Sequence, residues 1–124
     1  MDIIGLWKIT DVNVMDIDFN QTWRKVEDML ADESVHPLQK AMAQARYLFK
    51  DDGTWVQLMP KELDRDGKFE SYDDSYVIGH TAGWKEEGGK LLTEMDGNEW
   101  QEMVPDGDGF IAFSMFRIVK LQEP

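Results

Sequence analysis

No cysteine occurs anywhere in the 124 residues. Its absence excludes a disulfide framework, zinc-thiolate and iron-sulfur sites, and cysteine catalysis. Long apolar runs are missing as well. No stretch approaches the ~18 residues of a membrane-spanning helix, and the chain enters Ile3, Ile4, Leu6 and Trp7 without a basic leader. Positive charge is scarce: Lys and Arg number 13 against 25 Asp and Glu, for a net charge of −12. A field of that sign repels nucleic-acid phosphates and anionic membrane surfaces. The expectation is a soluble cytoplasmic protein with neither nucleic acid nor membrane as partner. Only two histidines are present, His36 and His80. Neither sits in a nucleophile or metal-ligand pattern such as G-x-S-x-G or H-E-x-x-H, so no catalytic residue, metal ligand or cofactor is assigned.

What is present reads as one domain spanning residues 1–124, because a chain this short holds a single core. Ile3 to Val14 is rich in β-branched residues and alternates, with Gly5, Trp7 and Ile9 on one face. From Asn20 the period turns helical: Trp23, Val26, Met29 and Leu30 share a face, with Asn20 or Thr22 available as cap. Ser34-Val35-His36-Pro37 breaks that helix, and Pro37 suits the first turn of a second, in which Leu38, Ala41, Met42 and Ala45 share a face. Turn signals then recur at Asp51-Asp52-Gly53, Asp64-Arg65-Asp66-Gly67, Gly88-Gly89, Asp96-Gly97-Asn98 and Asp106-Gly107-Asp108-Gly109. The strand-length pieces between them are Arg46 to Lys50, Thr54 to Lys61, Ser75 to Gly79, Ala82 to Glu87, Lys90 to Asp96, Glu99 to Val104 and Phe110 to Leu121. With the first strand they make about eight. A meander of that size removes its exposed edges most simply by closing on itself. The expected fold is all-β, an antiparallel up-and-down barrel with two short helices after the first strand.

The two ends of the chain carry a resemblance. Gly5-Leu6-Trp7-Lys8 on the first strand, with Phe116-Arg117-Ile118-Val119 on the last, resembles the signature of the calycin superfamily, which includes lipocalins and fatty-acid-binding proteins. The paired helices after the first strand are similar to the lid of the fatty-acid-binding branch, and small bacterial lipocalin-like proteins match equally well. The resemblance implies a calycin-like barrel in which Trp7 and Arg117 stack at one end, a guanidinium on an indole face. It also implies binding of a small hydrophobic molecule in the interior. In the fatty-acid-binding branch an Arg-x-Tyr on the last strand holds the ligand's carboxylate. Here Val119 stands at the third position.

Residues expected to wall a cavity are Tyr47, Phe49, Val56, Leu58, Tyr76, Ile78, Trp84, Met95 and Met103, with Arg117 as either polar anchor or structural plug. Period-two alternation lets one parity of each strand face inward, and which parity that is depends on register. Trp23, Val26, Leu30, Leu38 and Met42 are expected to close the mouth as a lid. Ordinary core packing accounts for the same aromatic and methionine content, so a filled barrel acting as an interaction or oligomerisation module is the alternative. Phe110 to Val119 is apolar on both faces and calls for a cover, supplied by a second copy of the chain or by one of the two helices. An enzyme using the cavity is a further alternative. Glu62 to Asp73 is a near miss to a calcium loop, with the wrong carboxylate at each end, and is read as a solvated turn.

Overall fold

The computed structural model describes residues 3–15, 18–95 and 99–121, without the side chains of Met15 and Met95. The predicted turn Asp96-Gly97-Asn98 lies outside these residues. In chain order the elements are β1 (Gly5–Met15), β2 (Gln21–Lys25), α1 (Val26–Ala31), α2 (Pro37–Ala43), β3 (Arg46–Phe49), β4 (Thr54–Pro60), β5 (Tyr76–Glu87), β6 (Lys90–Met95), β7 (Glu99–Asp106), β8 (Gly109–Ala112) and β9 (Phe116–Lys120). All strand pairs are antiparallel. Neighbours run from β1 through β3 to β9, and β9 returns to β1, which closes an eight-stranded barrel with β2 attached to the outer half of β1.

The strand number agrees with the sequence although three boundaries do not. Ser75 to Gly79 and Ala82 to Glu87 are one strand, β5, because a bulge at Gly79 lets pairing with β4 continue from Leu58↔Ile78 to Gln57↔His80. A Cβ on Gly79 would stand 2.8 Å from Met59 Cγ, so the bulge needs the missing side chain. Phe110 to Leu121 is two strands, reversed by a turn in which Phe113 and Ser114 take φ of 58° and 57°. Third, Gln21 to Lys25 is a strand. It pairs with β1 from Asp11↔Lys25 to Met15↔Gln21, and this ladder overrides the helical spacing of Trp23 and Val26. Neither Asn20 nor Thr22 therefore caps a helix: α1 begins after Lys25 without a side-chain cap. In α2 the reading from sequence holds, with Pro37 in the first turn and His36 Nδ1 accepting from the Leu38 N–H at 3.0 Å.

A second bulge, near Thr10, inverts the parity of β1. Trp7 and Ile9 face the interior, and beyond the bulge Val12 does so, opposite Phe116. The interior is filled by Trp7, Ile9, Tyr47, Phe49, Trp55, Met103, Phe110 and Ile118, all buried. A smaller cluster of Met29, Val35 and Ala43 packs on Val12, Val14 and Val26, and so joins the helices to the β1 side of one barrel end. Of the five residues expected as a lid, Val26 packs against the interior cluster and the other four are turned the other way. Trp23, Leu30, Leu38 and Met42 are exposed, whereas Met29, Ala41 and Ala43 are buried. Among the described residues no helix is long and apolar enough to cross a membrane.

Candidate functional site

Strand parity sorts the cavity residues expected from sequence. In β3, Tyr47 and Phe49 point inward, and their partners across the hairpin, Gln57 and Trp55, fix the inward face of β4. Val56 and Leu58 have the opposite parity. They are buried beneath other residues outside the interior cluster, and Ile78 shares that outer face as the partner of Leu58. Tyr76 is outward too: its hydroxyl donates to the Gln44 carbonyl at 3.2 Å, and the Arg46 guanidinium lies 5.0 Å from its ring. Trp84 and Met103 face inward, Trp84 packing on Phe49 with ring centroids 6.3 Å apart. Met95 belongs to β6, and its side chain is outside the described residues.

Arg117 does not meet Trp7. It projects from the outer face of β9, where its Nε donates to Asp106 Oδ2 at 2.7 Å, its Nη2 to Asp108 Oδ1 at 2.6 Å and its Nη1 to Thr10 Oγ1 at 3.2 Å. These bonds tie the β7–β8 turn to the bulge where β1 and β9 close the barrel. Hydrogen bonding to Arg117 holds the Asp108 carboxyl below its ordinary pKa, and the two aspartates raise that of the guanidinium. Trp7 is instead paired in register with Lys120, and its Nε1 donates to the Ile3 carbonyl at 2.8 Å. Trp7, Phe49 and Phe110 meet edge to face and pack this end of the barrel, beside a smaller recess of about 180 Å³ lined by Leu91, Met103 and Phe110.

The other end is hollow. A recess of about 380 Å³ opens between the β8–β9 turn and the inner faces of β3, β4 and β5, reaching β6 at Glu94. Its walls are Tyr47, Trp55, Phe113 and Phe116, with Met115 on the rim and Gln57, His80 and Glu94 as polar groups. Three structural devices put these residues together. The β3–β4 register sets Gln57 opposite Tyr47, and the bulge at Gly79 rotates His80 inward opposite Gln57. The third is the left-handed backbone at Phe113, which folds that ring onto Tyr47 and Trp55, at centroid distances of 5.3 and 5.2 Å. A bulky residue at positive φ is strained by about 1–3 kcal/mol, and here its surroundings hold it. Burial pushes the Tyr47 hydroxyl up to about 12, against a weaker opposing effect from a hydrogen bond with the Gln57 side chain. Two buried side-chain polar atoms among the described residues lack a hydrogen-bond partner, Trp55 Nε1 and Asn13 Oδ1.

A second recess, of about 430 Å³, lies outside the barrel, where β1 leaves β3 to pair with β2. It is lined by Lys8, Lys25 and Arg46 together with Asp11 and Glu27, over Val26, Ala45 and Tyr76. Among the described residues, no cluster of three or more His, Asp or Glu is placed to hold a metal ion. Comparison with protein-family models, characterised proteins and solved structures finds no match to this chain.

Of the residues assigned from sequence, the structure brings Tyr47 to the mouth and Phe49, Trp84 and Met103 to the packed interior. Sequence reasoning missed Gln57, His80, Glu94, Phe116 and the wall role of Trp55 and Phe113. One signal was available. With Tyr47 and Phe49 inward and the turn centred on Asp52, antiparallel pairing puts Trp55 and Gln57 on their face. For His80 no signal existed, because its orientation depends on a bulge.

Proposed function

We propose that the protein is a calycin-like binding protein that takes up a small hydrophobic molecule at the mouth of the barrel without altering it. The observation supporting this reading is the aromatic-walled recess of about 380 Å³, since a drug-sized ligand needs about 300 Å³ or more and an apolar lining with few polar groups. Ring stacking on Tyr47, Trp55 and Phe113 favours a flat molecule over a flexible chain. A fatty-acid headgroup finds poor complementarity. Arg117 is committed to Asp106 and Asp108 outside the barrel, and among the described residues no Lys or Arg lines the recess. The ligand class is therefore neutral. Titration with Nile red and with decanoate, followed by Trp fluorescence and melting temperature, tests this reading. Saturable binding of the dye with a rise in melting temperature, and weak or no response to decanoate, is expected. No saturable response to the dye overturns it.

A second reading, an interaction module, is favoured by a different surface. Trp23, Leu30, Leu38 and Met42 on β2 and the helices are all exposed. A strictly monomeric mass in sedimentation across the micromolar range removes a second copy of the chain as the partner.

A further inference from the structure

Lys8 and Arg46 stand directly opposite each other in the β1–β3 pair. Trp7 and Ile9 flank Lys8 and face the interior, as does Tyr47 beside Arg46, so both cations lie on the outer face of the barrel. Like charges so placed are destabilising. The chain has 25 acidic residues against 13 basic ones, and a carboxylate partner would remove that cost. Yet among the described residues the ion pairs engage Arg24, Lys68, Lys85 and Arg117, and neither Lys8 nor Arg46. The Arg46 guanidinium is set over the Tyr76 ring instead, 5.0 Å from its centre. Both cations line the outer recess of about 430 Å³, together with Tyr76 and the apolar Val26 and Ala45.

We infer that the outer recess is a second binding site, for a small phosphorylated molecule with a ring or short apolar group, its phosphoryl oxygens held between Lys8 and Arg46. A guanidinium fork and an ammonium are the donors that suit a phosphoryl group, and an anion between them removes the repulsion of the empty pair. The apolar group lies on Tyr76, Val26 and Ala45. The other charged residues lining the recess are Asp11, Lys25 and Glu27, so it carries three positive and two negative groups in a molecule of net charge −12. Asp11 is three residues further along β1, about 10 Å of strand, and has Lys25 directly opposite it. Its repulsion directs the phosphoryl group to the β3 side, over Lys8 and Arg46. Glu27 is exposed, two residues beyond Lys25 on α1. This site is separate from the mouth of the barrel and stands whether or not the mouth binds a ligand.

The test titrates phenyl phosphate, inorganic phosphate and benzyl alcohol into the intact protein at low ionic strength, with backbone amide NMR shifts and melting temperature as readouts. Phenyl phosphate is expected to give saturable shifts at the amides of Lys8, Arg46 and Tyr76 and to bind roughly tenfold more tightly than inorganic phosphate, with no saturable response to benzyl alcohol. Lys8→Gln keeps most of the aliphatic stem and removes the charge. It should weaken phenyl phosphate roughly tenfold and, without ligand, melt higher than the unaltered protein. Shifts confined to Tyr47, Trp55 and Phe113 put the phosphate ester at the mouth and overturn the site, as does the absence of any saturable response to it. Benzyl alcohol bound as tightly as phenyl phosphate overturns the phosphoryl requirement, and inorganic phosphate bound as tightly overturns the apolar part of the ligand. Unchanged affinity in Lys8→Gln, or a ligand-free variant that melts no higher, overturns the role of the cation pair. The comparison of probes on the unaltered protein stands by itself if that variant does not fold.

Discussion

Trp7 and Trp55 face the same interior from strands separated only by β3, and their surroundings differ in two respects. At the closed end, Trp7 is 2% exposed, its N–H is bonded, and Phe49 and Phe110 pack edge to face against it. At the mouth, Trp55 is nearly as deeply buried and has as many aromatic neighbours, yet its N–H is unpaired and a recess adjoins it. The same residue types thus build a plug at one end and a pocket at the other. The difference lies in the backbone. The closed end is made of regular ladder and a short segment, Ile3, that reaches back to the indole. At the mouth, the Gly79 bulge and the strained Phe113 turn interrupt the regular ladder and set His80 and Phe113 around the recess. The aromatic packing around Trp7 supports stability, and the incomplete mouth is where we propose binding.

The largest effect expected to break this comparison is Trp7→Ala. Removing a buried indole from the packed end should cost about 3–5 kcal/mol, read as a lower midpoint in urea unfolding at unchanged slope. A loss below ~1 kcal/mol would mean that the closed end is not packed as described.

Next in size is an alkaline effect at the mouth. Tyr47 has a pKa raised to about 12 by burial, against ~10 in the unfolded chain. The neutral hydroxyl is therefore favoured by folding. Its contribution is fully present below pH ~10 and is lost as the pH rises towards 12, a loss of roughly 2–3 kcal/mol over that window. Ultraviolet titration of phenolate absorbance should show a late step near pH 12. Tyr47→Phe should remove that late step.

Arg117→Ala sharpens the same contrast from outside the barrel. The arginine ties the β7–β8 turn to the Thr10 bulge, but Asp106 and Asp108 are largely exposed, so a loss of about 1 kcal/mol is expected. The diagnostic readout is the Asp108 carboxyl. Its lowered pKa means that the contact stabilises the fold above the usual carboxylate range and is lost as pH falls through the lowered value. In the variant, its NMR titration should move up towards the ordinary value of ~3.9.

The smallest effect has the opposite sign. Ser114 is exposed at φ 57°, and glycine accepts that conformation without strain. Ser114→Gly should stabilise by about 0.5–1 kcal/mol, less whatever the Gln101 hydrogen bond contributes. A destabilised variant would show that this side chain, and not backbone strain, governs the turn at the mouth.

Much of the fold was legible because its determinants are local. Alternation marked β1, β3, β4, β6 and β7 to within a few residues, and Gly- and Asp-rich turns marked most of the hairpins. The eightfold count came through two boundary errors that cancel: β5 was read as two pieces, while β8 and β9 were read as one. Both errors arise where the backbone departs from a regular ladder, at Gly79 and at Phe113–Ser114. Propensity does not flag a Phe-Ser pair as a turn. The candidate site was less legible for the same reason. Tyr47 and Phe49 were on the right face, but Val56, Leu58 and Ile78 were assigned with the wrong parity, and a one-residue change of parity moves a side chain from the interior to the exterior.

By itself the sequence determined an acidic, cysteine-free, all-β chain with hairpin connections and enough aromatic side chains to fill a barrel interior, because composition, periodicity and turn chemistry act over a few residues. Only the tertiary structure decided which face of each strand points inward, that β2 joins β1 in place of extending a helix, that Arg117 serves as an outer strut, and that Trp55 keeps an unpaired N–H beside a recess. Those outcomes depend on register, on two bulges and on the closure of β9 onto β1, which are fixed by pairing between residues as far apart as Trp7 and Lys120. No local rule reaches that far.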